Sequence, residues 1–418
     1  MIKAMPELYI GLMSGTSLDG IDAALVDFTA EKAQLVEFEY LPFSADIQSA
    51  IQRLSKPDAL ISLKEYGAMD ARLGHLFADI VNTLLAKTGI PASSIKAIGS
   101  HGLTIYHAPD IRLPGMAEVS QSVGNRCDKF PFSLQIGDPN VIAELTGITT
   151  VADFRRRDIA AKGQGAPLVP AFHQAVFHHP DEHRCIVNIG GIANITVLPK
   201  PQPAEVIGFD TGPGNTLMDL WIKLHRNLPY DKNGAWAKTG KIDHDLVDLL
   251  KQDLYFNAAP PKSTGKEYFS LPWVYQYFDA FSYKAEDVQA SLCFLTAITI
   301  CDAIKKHAPA TERVLICGGG IHNEYLLELI QQNIECPVES TEQYGLHPDH
   351  VEAMAFAWLA RQTLNNLPGN LKEVTGATDS VILGGIYLGN KKGDIMSPDK
   401  GGTINQAMLK KKTRNRKS

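Results

Sequence analysis

The sequence predicts an α/β protein made of two similar halves that enclose a cleft. Two stretches, 8–28 and 185–198, share one design, in which a strand leads through a turn of small residues into a second strand. Segments with helical spacing follow in each half. The chain has 418 residues, which exceeds the usual size of one hydrophobic core. We therefore expect two duplicated domains, each beginning with a β-hairpin.

Four segments carry the apolar spacing of helices. The segment 66–89 is amphipathic and closes at Gly89, with Pro91 just beyond it. The segment 287–307 is apolar almost all round, which predicts a buried helix. The other two are 215–225 and 350–364. Helices alternating with strands in both halves favour a cleft between two α/β domains.

Composition indicates a soluble protein. Hydrophobic residues make up 44% and charged residues 21% of the chain, and no apolar run approaches the ~18–20 residues needed to cross a bilayer. The N-terminal stretch lacks the apolar core and cleavage site of a signal peptide. The six cysteines include no C-x-x-C pair, so we expect them to be reduced and mostly buried. These features predict a cytoplasmic protein with no membrane partner.

The charge is distributed unevenly. The net charge is −6, although the stretch 410–418 carries six basic residues and no acid, so the preceding residues sum to −12. An acidic body argues against a nucleic-acid groove. We expect 396–418 to be a solvated, disordered basic tail, with contact to RNA or membrane as the alternative.

The first hairpin turn, "MSGTSLDGID" (13–22), resembles a phosphate loop without a lysine. A Walker loop requires that lysine and a following helix, and no G-x-G-x-x-G is present. Backbone N–H groups and the hydroxyls of Ser14, Thr16 and Ser17 could surround phosphate oxygens. Asp19 or Asp22 would then hold magnesium. The alternative is a plain hairpin with Asp-Gly at its tip.

The stretch "VIGFDTGPGNTLMDLWIKL" (206–224) predicts a strand ending at Asp210, a glycine turn and a helix from about Asn215. A helix N-terminus and free turn amides favour an anion. A carboxylate beside an anion is costly unless it works as a general base, which is the interpretation we favour. The alternative is that Asp210 caps the next helix.

A third glycine turn lies in "ICGGGIHN" (316–323), where a strand ends before a helix. Residues without side chains let a flat ring approach the backbone closely. An adenosine site and a tight strand–helix turn are both compatible with this pattern.

Taken together, the motifs resemble a known family. "GLMSGTSLDGIDAAL", "GSHGLTIYHAP", "LQIGDP", "ADFRRRDIAAKGQGAPLVPAFH", "NIGGIANIT", "GFDTGPGN", "PKSTGKEYF" and "VEAMAFAWLA" are similar to those of the 1,6-anhydro-N-acetylmuramic acid kinases, over most of the chain. The resemblance implies two duplicated ribonuclease-H-like domains of the hexokinase–actin–Hsp70 type. We place domain I at 1–155, with 365–395 as a candidate addition, and domain II at 156–364.

The resemblance also implies an activity. Members use MgATP to phosphorylate the sugar at O6 while water opens the 1,6-anhydro bridge, which gives N-acetylmuramate 6-phosphate in peptidoglycan recycling. It implies that Asp210 is the catalytic base and that Asp19 and Glu352 organise magnesium. The ATP-binding residues that it implies are Gly15, Thr16, Ser17, Leu18, Asp19, Gly20, Gly190, Gly191, Gly212, Gly214, Asn215, Gly318, Gly319 and Gly320.

The substrate-binding residues that we predict are His101, Thr104, Arg155 and Asp210. An arginine fork suits the lactyl carboxylate of the sugar, and Arg155 is the first candidate among three consecutive arginines. His101 is either a sugar contact or a core histidine. The segment 262–265 either lines the cleft or forms a surface loop. Leu103 stands where the family usually has glutamine, which puts any sugar contact of that residue in doubt.

The anhydro bridge explains what a single catalytic base would do in this reaction. O6 carries no proton because it is bonded to C1, so the base must activate a water molecule that attacks C1. The other functions considered are a kinase of another anhydrosugar, such as levoglucosan, and a non-catalytic nucleotide switch like actin or a chaperone. Partners are expected to be ATP and an amino sugar, and a homodimer is compatible with the sequence.

Overall fold

The computed structural model describes residues 6–15, 18–30, 32–56, 60–109, 130–200, 205–265, 268–279 and 282–390. In this part of the chain the first sheet has seven strands, in the order β12-β6-β4-β1-β2-β3 with β5 paired to β4. Its strands are β1 (Leu8–Ser14), β2 (Gly20–Asp27), β3 (Gln34–Pro42), β4 (Ile95–Ala108), β5 (Phe132–Ile136), β6 (Thr150–Ala152) and β12 (Gly385–Tyr387).

The second sheet repeats the five-strand order β6-β4-β1-β2-β3 of the first sheet and has no counterpart of β5 or β12 among the described residues. Its order is β11-β10-β7-β8-β9, with β7 (Arg184–Ile189), β8 (Ile192–Leu198), β9 (Ile207–Pro213), β10 (Arg313–Cys317) and β11 (Val338–Ser340). In each sheet the first three strands form an antiparallel meander, and two further strands run parallel to the first strand. The two halves are therefore duplicates, and each begins with the predicted hairpin.

The four segments predicted to be helical, 66–89, 215–225, 287–307 and 350–364, are helical in the structure. They are among α1 (Ala45–Leu54), α2 (Leu63–Thr88), α3 (Pro139–Thr146), α4 (Phe154–Ala160), α5 (Val169–Phe177), α6 (Thr216–Arg226), α7 (His244–Leu250), α8 (Leu254–Asn257), α9 (Leu271–Tyr275), α10 (Ala285–His307), α11 (Glu324–Gln332), α12 (Val351–Leu364) and α13 (Lys372–Thr375). Local chemistry sets the ends of α2: Ser62 and Glu65 form a capping box, and Gly89 adopts the left-handed conformation.

Helix α10 is long and apolar enough to cross a membrane, although no apolar run had been expected to approach that length. In the structure 72% of its most apolar window is buried, in a core formed with α6, α7, α11 and the second sheet. The prediction that this segment is a buried helix is confirmed.

Two helices cross between the halves. Helix α5 follows the first sheet in the chain yet packs on β8, whereas α12 follows the second sheet and packs on β1 and β4. Neighbouring glycines of those strands, Gly11 and Gly99, leave room for the backbone of α12, because a Cβ at either would lie within 2 Å of a helix carbonyl oxygen. Phe154, Phe172 and Phe356 fill the core between the sheets.

The predicted domain limits stay a prediction, but two observations bear on them. Strand β12 pairs with β6, so the C-terminal segment adds a strand to the first sheet. Helix α12 lies in domain II by the predicted limits, yet its main packing partners are strands of the first sheet. The predicted basic tail, 396–418, lies outside the described residues.

Candidate active site

Asp210 lies in β9, and its side chain is only 8% exposed. The backbone N–H of Thr264 donates to Oδ2 at 2.9 Å, and the hydroxyl of Tyr255 donates to the backbone carbonyl of Asp210 at 2.8 Å. The strand continues to Pro213 rather than ending at Asp210. The first residue before helix α6 is Asn215, so Asp210 is not a helix cap and that alternative is wrong.

The surroundings of Asp210 suit a base that works near neutral pH. Burial raises the pKa of this carboxyl to about 7, against the smaller lowering effects of the Thr264 hydrogen bond, Arg155 and Lys262. A bulge at Thr211 interrupts the pairing of β9 with β8 at this point. The next residue, Gly212, has a φ of 155° and leaves no room for a Cβ beside Phe256.

Arg155 reaches the same region from the first half of the chain. Its Nη1 donates to the carbonyl of Gly165 at 2.7 Å, and Nε and Nη2 lie 3.1 and 2.9 Å from Nε2 of His101. Asp210 and Glu352 lie close enough to stabilise its charge. Arg156 instead pairs with Asp153 and is exposed, as is Arg157. The structure therefore separates Arg155 from its two neighbours.

His101 is a buried histidine that contacts a predicted site residue. Its Nδ1 lies 2.9 Å from the carbonyl of Gly102, and its ring packs on Phe356. Burial and then Arg155 hold the pKa of His101 well below its ordinary value. Both ring nitrogens therefore have protein partners, which favours the core-histidine interpretation over a direct sugar contact.

Thr104 belongs to a polar row on β4 and β5 that the sequence analysis missed. Gln135 donates to the hydroxyls of both Thr104 (3.0 Å) and Ser133 (2.7 Å), and Nδ1 of His107 lies 2.9 Å from Ser133 Oγ. The signal available in the sequence was the alternation of polar residues in "FSLQI". Leu103 has the opposite orientation and is fully buried in the core of the first half.

The segment 262–265 lines the site, which decides between the two interpretations left open. Lys262 and Ser263 are buried, and Thr264 holds Asp210. Lys262 donates from Nζ to the carbonyl of Tyr255 at 2.9 Å and lies 4.5 Å from the centre of the Tyr255 ring. Burial lowers the pKa of Lys262 to about 8. Lys262 is 52 residues from Asp210 in the chain, and no local pattern in the sequence marks the two as neighbours.

The first predicted phosphate loop connects β1 to β2. Thr16 and Ser17 lie outside the described residues. Leu18 has a φ of 59°, and its backbone N–H donates to Gly15 O at 3.3 Å. The hydroxyl of Ser14 is buried and donates to Gly20 O at 2.8 Å. The hydroxyl of Ser14 therefore donates its hydrogen to the backbone. The expectation that it donates to a phosphate is wrong.

Carboxylates gather beside the first loop. Burial, followed by the charges of Asp19, Glu352 and Asp349, raises the pKa of Asp22 to about 7. Asn188 donates to Oε1 of Glu352 at 3.1 Å. Asp349 is not among the residues that the sequence predicts for the site. Among the described residues, no three histidine, cysteine or acidic side chains are arranged to hold a metal ion by themselves.

The second loop, Gly190–Gly191, turns its carbonyls toward helix α6. Asn215 donates to Gly190 O at 2.8 Å, and Gly214 and Thr216 donate to Gly191 O at 2.9 and 3.2 Å. For Gly214 the expectation of a free turn amide is wrong, because Gly191 O already accepts its N–H. A nucleotide contact of Gly212, Gly214 and Asn215 stays a prediction.

In the third glycine turn, Gly318 and Gly320 are closely packed against neighbouring residues, whereas Gly319 is not. Gly318 has a φ of 79°, and a Cβ there would lie 2.3 Å from Asn188 Oδ1. A Cβ at Gly320 would lie 2.3 Å from Ile189 Cγ2. Gly319 has no atom within 4 Å of its Cβ position. Strand–helix packing explains Gly318 and Gly320, and Gly319 alone faces open space.

Two sheets of one topology, with hairpin loops at equivalent positions, define the hexokinase–actin–Hsp70 class of fold that the sequence predicts. The solved structures that this chain resembles include a ROK family glucokinase from Streptomyces griseus in complex with glucose and AMPPNP. That protein is 12% identical, with a TM-score of 0.37 over 85% of this chain and 99% of the other. An activator of 2-hydroxyisocaproyl-CoA dehydratase from Clostridium difficile with bound ADPNP is also 12% identical, with a TM-score of 0.40 over 86% and 98%.

Sequence relatives identify the family. The family model "Anhydro-N-acetylmuramic acid kinase" matches residues 7–389. Proteins of that name from Saccharophagus degradans and Xylella fastidiosa are 49% and 47% identical over 91% of this chain, and the matches cover 99% and 96% of those proteins. One from Vibrio cholerae is 47% identical over 91% of this chain and 98% of its own length. The chain belongs to the anhydro-N-acetylmuramic acid kinase family.

Proposed function

We propose that this chain is an ATP-dependent kinase of 1,6-anhydro-N-acetylmuramic acid. It phosphorylates the sugar at O6 while water opens the 1,6-anhydro bridge, and it releases N-acetylmuramic acid 6-phosphate for peptidoglycan recycling. Family membership supports this substrate. The single observation that carries the chemistry is the buried carboxylate of Asp210, whose pKa of about 7 suits a base. We place the reaction in the cytoplasm.

Asp210 acts on water in this proposal. The carboxylate takes a proton from a water molecule as its oxygen bonds to C1 of the sugar, and the C1–O6 bond breaks. The electron pair of that bond stays on O6, which attacks the γ-phosphorus of ATP as the bond to the β-phosphate oxygen breaks. No separate acid is required, because the phosphoryl group takes up the leaving oxygen.

Arg155 binds the lactyl carboxylate of the sugar. Its hydrogen bonds to His101 and Gly165 use three of the five guanidinium N–H groups. One N–H on each terminal nitrogen is left over among these contacts, which matches the two donors of a bidentate carboxylate pair. A levoglucosan kinase has no use for this pair, since that sugar carries no carboxylate.

The glycine turns would hold ATP, and Gly319, which has no atom within 4 Å of its Cβ position, leaves room there for an adenosine ring. The carboxylates around Asp22 fit a magnesium ion, because a hard cation would offset the repulsion that helps to raise the pKa of Asp22. Asp19 and Glu352 would hold this ion together with phosphate and water oxygens, as is usual for magnesium. Its charge would favour the transfer of the phosphoryl group.

The variant Asp210→Asn tests the function. We expect turnover of the anhydrosugar with MgATP to fall by at least ~10²-fold, since the amide cannot accept the proton of water. Calorimetric titration should show that ATP binding is retained. In ¹⁸O-labelled water, the wild-type product should carry the label at C1. Unchanged product formation by the variant would remove Asp210 from the mechanism.

A further inference from the structure

The hydrogen-bond partners of His101 determine which ring nitrogen carries the proton. A carbonyl oxygen only accepts, so Nδ1, which lies 2.9 Å from Gly102 O, must carry a hydrogen. Guanidinium nitrogens only donate, so Nε2 must be the acceptor for Arg155. The ring is therefore the neutral Nδ1–H tautomer, and its single lone pair is directed at Arg155.

This contact restrains the guanidinium on one edge. Nε and Nη2 of Arg155 both approach the same lone pair of His101, at 3.1 and 2.9 Å. The carbonyl of Gly165 restrains Nη1 at 2.7 Å from another direction. Rotation of the guanidinium plane about the side-chain axis would break these hydrogen bonds.

The histidine is itself held firmly. It is 5% exposed, and its ring lies 4.7 Å from the ring of Phe356 on the helix that crosses between the halves. With Arg155 in place, both ring nitrogens of His101 are occupied by protein partners and neither is left for a sugar. The described contacts leave Arg155, and not His101, with donors to offer a ligand.

We propose that His101 is a positioning residue, which holds Arg155 in the orientation that receives the carboxylate of the sugar. The inference rests on the proposed function, in which Arg155 binds that carboxylate. It assigns His101 a part in substrate selection without contact to the substrate.

Two substitutions of His101 test whether a hydrogen-bond acceptor at the position of Nε2 is sufficient without the imidazole ring. In His101→Gln, the amide oxygen reaches about as far as Nε2 and can accept from Arg155, whereas in His101→Asn the shorter amide ends near the position of Nδ1. The full chain and both variants are assayed with 1,6-anhydro-N-acetylmuramic acid and with 1,6-anhydro-N-acetylglucosamine, which lacks the lactyl carboxylate. Melting temperatures confirm that each variant is folded at the assay temperature.

We expect His101→Asn to raise KM for the muramic sugar about 10- to 100-fold, the effect of losing a charge-assisted hydrogen bond. Its kcat and its KM for ATP should stay near those of the wild type, as should its KM for the glucosamine analogue. His101→Gln should recover most of the loss. A general packing defect would instead change the constants for ATP and for both sugars.

Three results would overturn the inference: His101→Asn that behaves as wild type, His101→Gln that is as impaired as His101→Asn, or equal losses on the two sugars. A wild-type chain that turns over neither sugar would refute the proposed function, and this inference with it. Normal wild-type turnover combined with any of the three results would refute the inference alone.

Discussion

Opposing effects act on the carboxyl of Asp210. Burial disfavours its charged form, while the Thr264 N–H and the cations of Arg155 and Lys262 favour it. The outcome is a pKa of about 7. A base with this value is partly protonated at neutral pH, and small changes in nearby charge alter the fraction that can accept a proton.

This balance predicts the pH dependence of the reaction. Only the deprotonated carboxylate accepts a proton, so kcat/KM should be constant well above pH 7 and fall about tenfold per pH unit below it. Lys262→Met removes a cation that lowers the pKa of Asp210, so the acid limb should move to higher pH. Rate profiles between pH 5 and 9 measure both. A limb that stays in place in a folded variant would contradict the role of Lys262.

Arg155 and Arg156 provide a matched pair. Arg155→Lys keeps the charge but loses the planar fork, and we expect KM for the anhydrosugar to rise about 10- to 100-fold. Arg156→Ala removes an exposed ion pair with Asp153, which contributes less than ~1 kcal/mol, so KM should be unchanged. Steady-state kinetics compare the two. Equal effects of both substitutions would show that general positive charge, not the Arg155 fork, recruits the substrate.

At the scale of elements, helix α12 shows why glycines stand inside two buried strands. Gly11 and Gly99 are paired in neighbouring strands, and the helix backbone lies directly over them. Glycine costs stability in a strand interior, so its presence here reflects the close approach. The same helix carries Glu352 at its first turn, so its distance from the sheet sets where that carboxylate lies.

Gly99→Ala tests this packing. The added Cβ would lie 1.9 Å from Phe356 O, so the helix must shift, and we expect a loss of about 3 kcal/mol or more in unfolding free energy. Gly67→Ala is the control, since its Cβ meets no atom within 4 Å on the exposed face of α2, and it should add about 0.5–1 kcal/mol. Urea denaturation measures both. A Gly99→Ala protein as stable as wild type would contradict the close contact.

At the scale of the whole molecule, hydrogen bonds to Asp158 connect segments that are distant in the sequence. This fully buried carboxylate accepts from Gly165 N, Asn370 Nδ2 and Thr375 Oγ1, each at 2.7 Å. It thereby joins helix α4 and the Gly165 loop, which holds Arg155, to the C-terminal segment. That segment continues to β12 at the edge of the first sheet.

Asp158→Asn is expected to loosen this junction. Its amide must present a donor where the carboxylate has only acceptors, which leaves a buried donor unpaired at a cost of about 2–5 kcal/mol. Asp46→Asn, at an exposed ion pair with Arg72, should cost less than ~1 kcal/mol. Thermal unfolding compares them. Similar melting temperatures for the two variants would show that the C-terminal segment is not held through Asp158.

Much of the fold follows from patterns that act over a few residues. Gly89 ends α2 because glycine adopts the left-handed conformation easily, and small residues at 190–191 allow the second hairpin to turn. Asp210 was recognisable as a candidate site residue because the sequence predicts it beside a glycine turn and a helix N-terminus that favour an anion. The expectations of a free amide at Gly214 and of a phosphate-facing hydroxyl at Ser14 were wrong, because each group donates to a backbone carbonyl that local sequence does not reveal.

The sequence by itself determined the duplicated α/β halves, the hairpins and their helices, because periodicity and turn chemistry depend on near neighbours. Only the tertiary structure decided which of the three arginines lies near Asp210, that Thr264 and Lys262 lie beside Asp210, and that His101 accepts hydrogen bonds from Arg155. The partner of Asp210, Thr264, is 54 residues away in the chain. Burial and charge depend on distance in space, so the pKa of the base is a property of the folded molecule.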